Sequence, residues 1–397
     1  MKKFVRSERA NLFEPNVYIS MVAKLSGDVS PREMEQAVYA AYEANEATMS
    51  RIVLESDGNA YYEKMQASGC KFFADCRPWQ QMLCESERTP FALNQGELVR
   101  VFLSEENGQS VLFIHAHHLV GDGKSVWILL NDILRSLNKH SLTYKPMLSV
   151  DRAFLEKRAK LPALTKFYIN RVNQKWIKNR VSFSWDDYYA VHRAYWDRYT
   201  SEIQTRSHSI NEIKAKCPEN VSINSYLIAE LVKDEPQCHV IGIPVSIRED
   251  DGMSNQVSGI TVKYAFDDQK TLSENAGKIH KAIYRKLGSR MMKHFILLFM
   301  ERLHPSLTDG VLLQSHGCFQ NALTQKMAEV MGYTGNGGRD LGVTNLNRLD
   351  FPDGNCPIAV QDILFVPPKV SYAKKVVGIG TYGDKLTVCC HNMKSRD

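Results

Sequence analysis

A group of three histidines followed by an aspartate is the part of this sequence best suited to acid–base chemistry. His115, His117 and His118 precede Asp122 and Gly123, and the last seven residues of the group read HHLVGDG. A neutral imidazole has a pKa near neutrality, so it can accept a proton from a hydroxyl or amine that attacks an activated carbonyl. We therefore expect a general base at His118, with His117, Asp122 and Gly123 as the other candidate catalytic residues.

The elements on either side of this segment would place His118 at the end of a strand. Residues 110–117 are apolar and β-branched, which predicts a strand, and apolar residues recur at helical spacing over residues 126–137. On the strand His115 and His117 share one face, and His118 lies on the other. The following helix would offer free N–H groups and the positive end of its dipole to a developing oxyanion.

The segment HHLVGDG resembles the HHxxxDG motif of the chloramphenicol acetyltransferase-like superfamily, which includes the condensation domains of peptide synthetases and related free-standing acyltransferases. The motif matches at four positions, His117, His118, Asp122 and Gly123. The strand before the motif and the helix after it are where that superfamily has them. A strand–turn–helix context makes the match much more specific than an isolated His-x-x-x-Asp.

Three further segments extend the resemblance along the chain. The strand and the helix predicted over residues 17–47 resemble the first βα unit of the superfamily. Residues 243–248, IPVSIR, resemble the second-lobe strand whose arginine, here Arg248, pairs with the motif aspartate. Residues 344–352, TNLNRLDFP, are similar to the late-strand pattern, with Asn347 where a glycine is common.

The resemblance implies an α/β (α+β) fold with two chloramphenicol-acetyltransferase-like lobes, arranged as a V-shaped pseudo-dimer with a tunnel between them. We expect an N-terminal lobe over residues 1–165, a basic helical linker over 166–187 and a C-terminal lobe over 188–397. Two departures limit the match. Residues 45–49, NEATM, replace the His-Pro-x-Leu-Arg run of many relatives, and no Asp-Phe-Gly-Trp motif of the plant-type branch occurs.

The resemblance also implies the roles of the site residues. His118 would be the base, Asp122 would be structural and held by Arg248, and Asn345 would contact substrate in the tunnel. The acyl donor would be a thioester of coenzyme A or of the phosphopantetheine of an acyl-carrier protein. The acceptor would be a small alcohol or amine, and no metal or permanently bound cofactor is expected. The alternative is a catalytically idle module of the same fold that binds a carrier protein or another partner.

Composition restricts the class of protein. The chain has 397 residues, 44% of them hydrophobic, and a formal net charge of +6, which is typical of an ordinary soluble globular protein and does not indicate a nucleic-acid partner. Nine cysteines follow no zinc-binding spacing, which favours free thiols and a cytoplasmic location. No apolar run is long enough to span a bilayer, and two lobes in one chain favour a monomer.

Several segments allow other interpretations. The three histidines and Asp122 are metal-ligand types, but strand alternation directs His118 away from the other two.

Residues 151–180 carry nine Lys or Arg against two acidic residues, and we expect a solvated linker helix there, with docking of a carrier protein or of coenzyme A phosphates as the alternative. Residues 291–303 predict a buried core helix, or else the wall of a channel for a lipid-like substrate. The glycine-rich residues 335–338 predict a loop at a tunnel mouth.

The remaining pattern alternates strands and helices in both halves. Strands are predicted at residues 17–27, 52–54, 97–103, 239–247, 260–266, 343–346, 363–366, 376–380 and 386–391, and helices at 31–47, 223–233 and 272–287.

Overall fold

Two large sheets and one small sheet, with helices packed on them, form the protein. The computed structural model describes residues 2–235, 237–334, 338–351 and 356–396. Its strands are β1 Lys3–Phe4, β2 Tyr18–Leu25, β3 Ser50–Leu54, β4 Ala60–Lys64, β5 Lys71–Ala74, β6 Val99–Glu106, β7 Gln109–His117, β8 Tyr199–Ser209, β9 Val240–Ser246, β10 Val257–Lys263, β11 Arg339–Arg348, β12 Val360–Val366, β13 Ala373–Tyr382 and β14 Lys385–Ser395. Its helices are α1 Pro31–Glu43, α2 Trp79–Arg88, α3 Gly123–Leu137, α4 Arg152–Glu156, α5 Ala163–Ile177, α6 Trp185–Trp196, α7 Ile210–Lys216, α8 Ile223–Lys233, α9 Leu272–Leu287, α10 Arg290–Arg302, α11 Pro305–Ser315 and α12 Ala322–Met331.

The first sheet carries the histidine motif at the end of its central strand. It has five strands in the order β12-β2-β7-β6-β5, and β7 pairs with β2 and β6 on its two sides. Helix α1 begins at the predicted place, where Ser30 and Glu33 form a capping box and Pro31 occupies the first turn. Helices α1 and α3 contact each other and bury their apolar faces in the core beside this sheet. The motif therefore leaves a rigid strand and enters a well-packed helix.

The second sheet forms the other half of the molecule. It has six strands in the order β10-β9-β11-β13-β14-β8, and β11 runs parallel to both β9 and β13. Helices α8 and α9 pack together and contribute buried apolar residues to the core of this half. The small third sheet has the order β1-β4-β3. This mixed architecture confirms the predicted α/β fold class.

One strand from the C-terminal part of the chain belongs to the first sheet. Strand β12 pairs antiparallel with β2, with Phe365 opposite Met21 and Val366 opposite Ser20. Helix α6 likewise contributes Tyr188 and Trp196 to the core beside the first sheet. The expected lobe boundaries at residues 165 and 188 stay a prediction, and the chain crosses between the two halves more often than those boundaries imply.

The basic stretch differs from the solvated linker that we expected. Helix α5 buries Ile169, Val172 and Trp176, and the Trp176 indole N–H donates to the Ser306 hydroxyl at 2.8 Å. Lys175 and the residues on its face stay exposed. The helix therefore packs on the body of the protein through an apolar face. The many charged residues of this stretch had led us to expect a solvated helix instead.

Helix α10, over residues Arg290–Arg302, is partly a core helix, as expected, and partly a cavity wall. Leu298 and Phe299 are buried in a core with α5 and α11, while Ile296 and Met300 line the main cavity. Within the described ranges, helices are too short or too polar to cross a membrane. Residues 335–337 of the expected glycine-rich loop lie outside the described residues.

Candidate active site

A cavity of about 580 Å³ lies between the two halves and receives the motif at one end. His118, Asp122 and Gly123 line it from the first half, and the strands of the second sheet line it from the other. A cavity of this size is large enough for a small-molecule ligand. The sequence-predicted Asn345 also lines it, so the structure brings the motif and this residue to one space.

The local sequence explains how His118 enters the cavity. Strand β7 ends at His117, and residues His118–Val120 form a single 3₁₀ turn before α3. Gly121 has a φ of 151°, and a Cβ there would lie 2.3 Å from the Ser125 hydroxyl oxygen. A Cβ on Gly123 would lie 2.8 Å from Cδ2 of Leu346. Glycines at these two positions let the turn close tightly against the helix and against β11.

Asn255 fixes the orientation and the tautomer of the His118 ring. Its Oδ1 lies 2.8 Å from Nδ1 of His118, and its Nδ2 donates to the His118 carbonyl at 2.5 Å and to the Glu8 carboxyl at 2.6 Å. Both amide protons are thereby used on acceptors, so Oδ1 must face the ring and accept from it. Nδ1 therefore carries the proton, and Nε2 keeps its lone pair. Burial lowers the pKa of His118, which keeps the ring neutral near pH 7.

Glu8 extends this network and carries a proton at moderate pH. The Tyr62 hydroxyl lies 2.8 Å from Glu8 Oε1 and 2.8 Å from the Leu119 carbonyl oxygen. A hydroxyl has one proton and can donate to only one of these two oxygens. With a proton on Glu8, its carboxyl group donates to Tyr62 and Tyr62 donates to Leu119, so every contact is satisfied. Burial supports this assignment, because it raises the pKa of Glu8 to about 7.

Asp122 is engaged by groups other than the imidazole. Its Oδ1 accepts from the Ser125 amide at 3.0 Å and from Arg248 Nη2 at 2.8 Å, and its Oδ2 accepts from the Gln256 amide at 3.1 Å. The same Arg248 donates to the carbonyls of Gly252 and Ser254 at 2.6 and 3.0 Å. The expected contact between Arg248 and Asp122 is present. It ties the segment that carries Asn255 to the N-terminus of α3.

His117 and His115 lie away from the cavity. His117 is 1% exposed, packs against Tyr18 and Phe91, and accepts the Leu119 amide on Nδ1 at 3.2 Å. Burial lowers the pKa of His117 to about 3 and that of His115 well below its ordinary value. His117 thus shapes the turn and, unlike His118, does not line the cavity, so a direct catalytic role for it stays an untested prediction. The described residues contain no group of three or more His, Cys, Asp or Glu that could hold a metal ion.

Two asparagines on β11 follow the expected late-strand pattern. Asn347 has a φ of 60°, a left-handed conformation that asparagine tolerates better than most residues other than glycine. Its amide donates to Oδ1 of Asn345 at 2.7 Å, and Asn345 Nδ2 reaches Oδ1 of Asn224 at 3.3 Å. The position where the resembled late-strand pattern commonly has glycine therefore has positive φ in this chain.

Sequence reasoning missed Glu8 and Asn255. Both lie in irregular segments without a motif, and each is brought to His118 by tertiary folding. The one available signal for Asn255 was that it follows Arg248 by seven residues, and Arg248 comes directly after a predicted strand. Glu8 had no such signal.

Comparisons with known proteins were made for the sequence and for the fold. No family model matches the sequence. A segment of 56 residues, 14% of this chain and 1% of the relative, is 41% identical to one of the proteins that make up the linear gramicidin synthase of Brevibacillus parabrevis. The match thus covers a very small part of that relative.

Solved structures resemble the whole chain. The first condensation domain of the CDA synthetase superposes with a TM-score of 0.64 at 11% identity, over 97% of this chain and 87% of that one. Polyketide synthase associated protein 5 from Mycobacterium tuberculosis gives 0.61 at 15% identity, over 99% and 92%. A mutant starter condensation domain of rhizomide synthetase RzmA, in complex with C8-CoA and Leu-SNAC, gives 0.59 at 12% identity, over 97% and 86%. The chain therefore has a two-lobed, condensation-domain-like fold, as the motif led us to expect.

Proposed function

We propose that this condensation-domain-like protein is an acyltransferase that moves an acyl group from a thioester to an alcohol or amine, with His118 as the general base. The observation that carries the proposal is that His118 lines a cavity between two lobes while its Nδ1 is held by Asn255, which leaves Nε2 for the acceptor. The donor would be an acyl-CoA or the acylated phosphopantetheine of a carrier protein. The C8-CoA bound to the RzmA domain supports a thioester donor.

The proposed reaction uses the residues of the site in a fixed order. Nε2 of His118 takes the proton of the acceptor hydroxyl or amine as that atom attacks the thioester carbonyl. The amides of Gly123 and Lys124 in the first turn of α3 have no acceptor within the helix and would stabilise the oxyanion, whereas the Ser125 amide is taken by Asp122. Collapse of the tetrahedral intermediate breaks the carbon–sulfur bond, and the imidazolium returns its proton to the leaving thiolate. The products are an ester or amide and a free thiol.

The other motif residues would position the base. Asp122, held by Arg248, fixes the start of α3, and His117 shapes the turn. Gly123 admits Leu346 beside the motif, and Asn345 would contact substrate in the cavity. We propose lobes over residues 1–165 and 188–397 with the connecting helix over 166–187, and a cytoplasmic monomer.

Release of free thiol from a panel of acyl-CoA and acyl-pantetheine donors, with mixed alcohols and amines, tests the proposal. We expect release that needs an acceptor, a new ester or amide in the product, and a loss of about 10²–10⁴ in rate for His118→Ala. His208→Ala is the matched control, because His208 is exposed on β8. A His118→Ala protein that turns over normally would exclude this mechanism.

The alternative function, an idle binding module, predicts a different result. Such a module would release no thiol with any donor and would still bind a carrier protein or another partner. The polar network around His118 favours the enzyme, because a module that only binds gains nothing from a fixed tautomer.

A further inference from the structure

The end of the cavity remote from His118 holds an arginine, Arg339, that has no anionic partner among the described residues. Arg339 begins β11 and lines the cavity, and its guanidinium lies over the ring of Tyr372 at 4.7 Å from the ring centre. Within the part of the chain that the structure describes, its side chain makes neither an ion pair nor a hydrogen bond. A guanidinium in a partly enclosed space without an anion is costly, and stacking on one ring offsets only part of that cost.

Two neighbouring carboxylates, of Glu14 and Asp340, make no ion pair with Arg339 within the described residues. Glu14, which lines the same cavity and is 2% exposed, accepts from the Ser371 hydroxyl and from Nε2 of His316 on Oε1, and its buried Oε2 makes no hydrogen bond with Arg339 within the described residues. Asp340 accepts from the His239 and Val240 amides at 3.0 Å and from Lys374 at 2.7 Å. Arg339 is therefore left to face the cavity.

The fold makes specific room for this side chain. A Cβ on Gly242 would lie 2.7 Å from Cδ of Arg339, so only a glycine lets the arginine cross β9 there. Gly242 pairs with Gly342 on β11, four residues before Leu346, whose side chain touches Gly123 of the motif. Four residues of strand span about 13 Å, which is the approximate separation of the two ends.

The wall between the two ends is mostly apolar, with Ser258 and Thr344 as polar exceptions. It includes Val257, Ile260, Ile296, Leu297, Met300 and Val376. A ligand that fills the cavity would therefore meet a base at one end, apolar side chains in the middle and a guanidinium at the other end.

We propose that Arg339 binds a carboxylate carried by the substrate at the end remote from the reacting atom, so that the substrate is an elongated molecule with an apolar middle and an anionic end. One guanidinium matches one carboxylate in charge and in its paired N–H geometry. A phosphate would usually find a second cation or a helix N-terminus, and the paired arginines of the cavity lie at its other end. The role of this carboxylate as part of the substrate rests on the proposed function. Binding of a carboxylate at Arg339 can be measured without turnover.

Calorimetric titration of the full chain with decanoate, decanol and decyl phosphate tests the assignment. We expect decanoate to bind about 10–100-fold more tightly than decanol, which is the range for a hydrogen bond to a charged group. Arg339→Gln should reduce decanoate binding to the level of decanol and leave decanol binding unchanged. Arg348→Gln is the matched control, because Arg348 lines the cavity but is already paired with Asp350 at 2.8 Å.

Two further variants keep the test decisive. Gly242→Ala should displace Arg339 and remove the preference for decanoate without a change in charge. His118→Ala should bind decanoate like the wild type, so a failure of the catalytic proposal would not affect this result. Equal binding of decanoate and decanol, no binding of decanoate, or a tenfold preference for decyl phosphate would each overturn the carboxylate assignment.

Discussion

A single amide side chain decides which nitrogen of His118 can act as the base. Asn255 accepts from Nδ1, and its own two protons are used on the His118 carbonyl and on Glu8. Glu8 in turn is fixed by Tyr62. The neutral ring therefore presents Nε2 without a proton, which is the form that a general base needs.

Asn255→Ala should release this constraint. Without the acceptor at Nδ1, the proton can move to Nε2 and block the base, so we expect kcat/KM for acceptor-dependent thiol release to fall about 10–100-fold. Asn211→Ala is the control, since Asn211 makes an exposed bond of 2.6 Å to Asp384. Equal activity of the two variants would show that the tautomer is not fixed by Asn255.

The rate should also depend on pH in a defined direction. Burial lowers the pKa of His118 from its ordinary value of 6.5, so the base stays neutral until the pH falls below that value. We expect kcat/KM to be level near neutrality and to fall on acidification, with a midpoint below 6.5. Glu8→Gln should keep this limb, because a glutamine reproduces the bonds of the neutral carboxyl group. A midpoint above 6.5 in the wild type would contradict the account.

At this scale the sequence predicted the proposed base and the pair of Asp122 with Arg248, but not the residues that orient the ring. His118, Asp122 and Gly123 lie within one short segment, where local spacing is informative. Asn255 reaches His118 from 137 residues away along the chain, a contact that only tertiary folding creates. Local patterns carry no information about such a partner.

The turn between β7 and α3 is held from both halves of the molecule. Gly121 and Gly123 let the turn close, and Asp122 caps α3. Arg248, just after β9, donates both to Asp122 and to the carbonyls of Gly252 and Ser254. The arginine side chain is 11% exposed and the aspartate side chain 4%. This contact makes the geometry of the turn depend on the second sheet.

Arg248→Ala should therefore destabilise the protein markedly. It would leave Asp122 buried beside unpaired carbonyls, and we expect a loss of about 3 kcal/mol in the free energy of unfolding by urea denaturation, together with a lower kcat. Arg206→Ala removes an exposed pair with Asp234 and should cost less than about 1 kcal/mol. Similar losses in the two variants would argue against the proposed role of Arg248.

Elements with a clear period or cap were predictable, and those without were not. Helix α1 has its capping box, and α3 has a pronounced apolar face. Helix α11 was missed because residues from Pro305 to Leu313 are all buried, so no polar face marks its period. Strand β8 was missed because its sequence, YTSEIQTRSHS, is polar and lies at the edge of the second sheet.

The two halves of the whole molecule share a strand and a cavity. Strand β12 joins the first sheet although its neighbours in sequence, β11 and β13, lie in the second. Its residue Phe365 is 3% exposed and packs between the two halves, where Cβ atoms built on Gly378 and Gly123 would meet its ring at 2.9 and 3.3 Å. The halves should consequently unfold together.

Phe365→Ala should loosen both sheets at once. We expect a loss of about 3–5 kcal/mol from the cavity that it leaves, and faster hydrogen exchange in both β2 and β13. Phe167→Ala, at a residue that is 62% exposed on α5, should change neither. Faster exchange confined to one sheet would show that the halves are energetically separate.

Residues 363–366 were predicted as a strand, but their partner was not. Pairing of β12 with β2 joins residues more than 300 positions apart. The sequence of one strand does not indicate which sheet edge it will pair with. The family resemblance supplied the two-lobed arrangement, whereas composition and periodicity alone supported only a mixed α/β fold.

The state of the His118 ring at neutral pH tests the central claim most directly. In protein with ¹⁵N-labelled histidine, with His118→Ala used to assign the signal, the account predicts a proton on Nδ1, a bare Nε2 and a titration midpoint below 6.5. A proton on Nε2, or an imidazolium at pH 7, would contradict the account, because neither form could accept a proton from the acceptor.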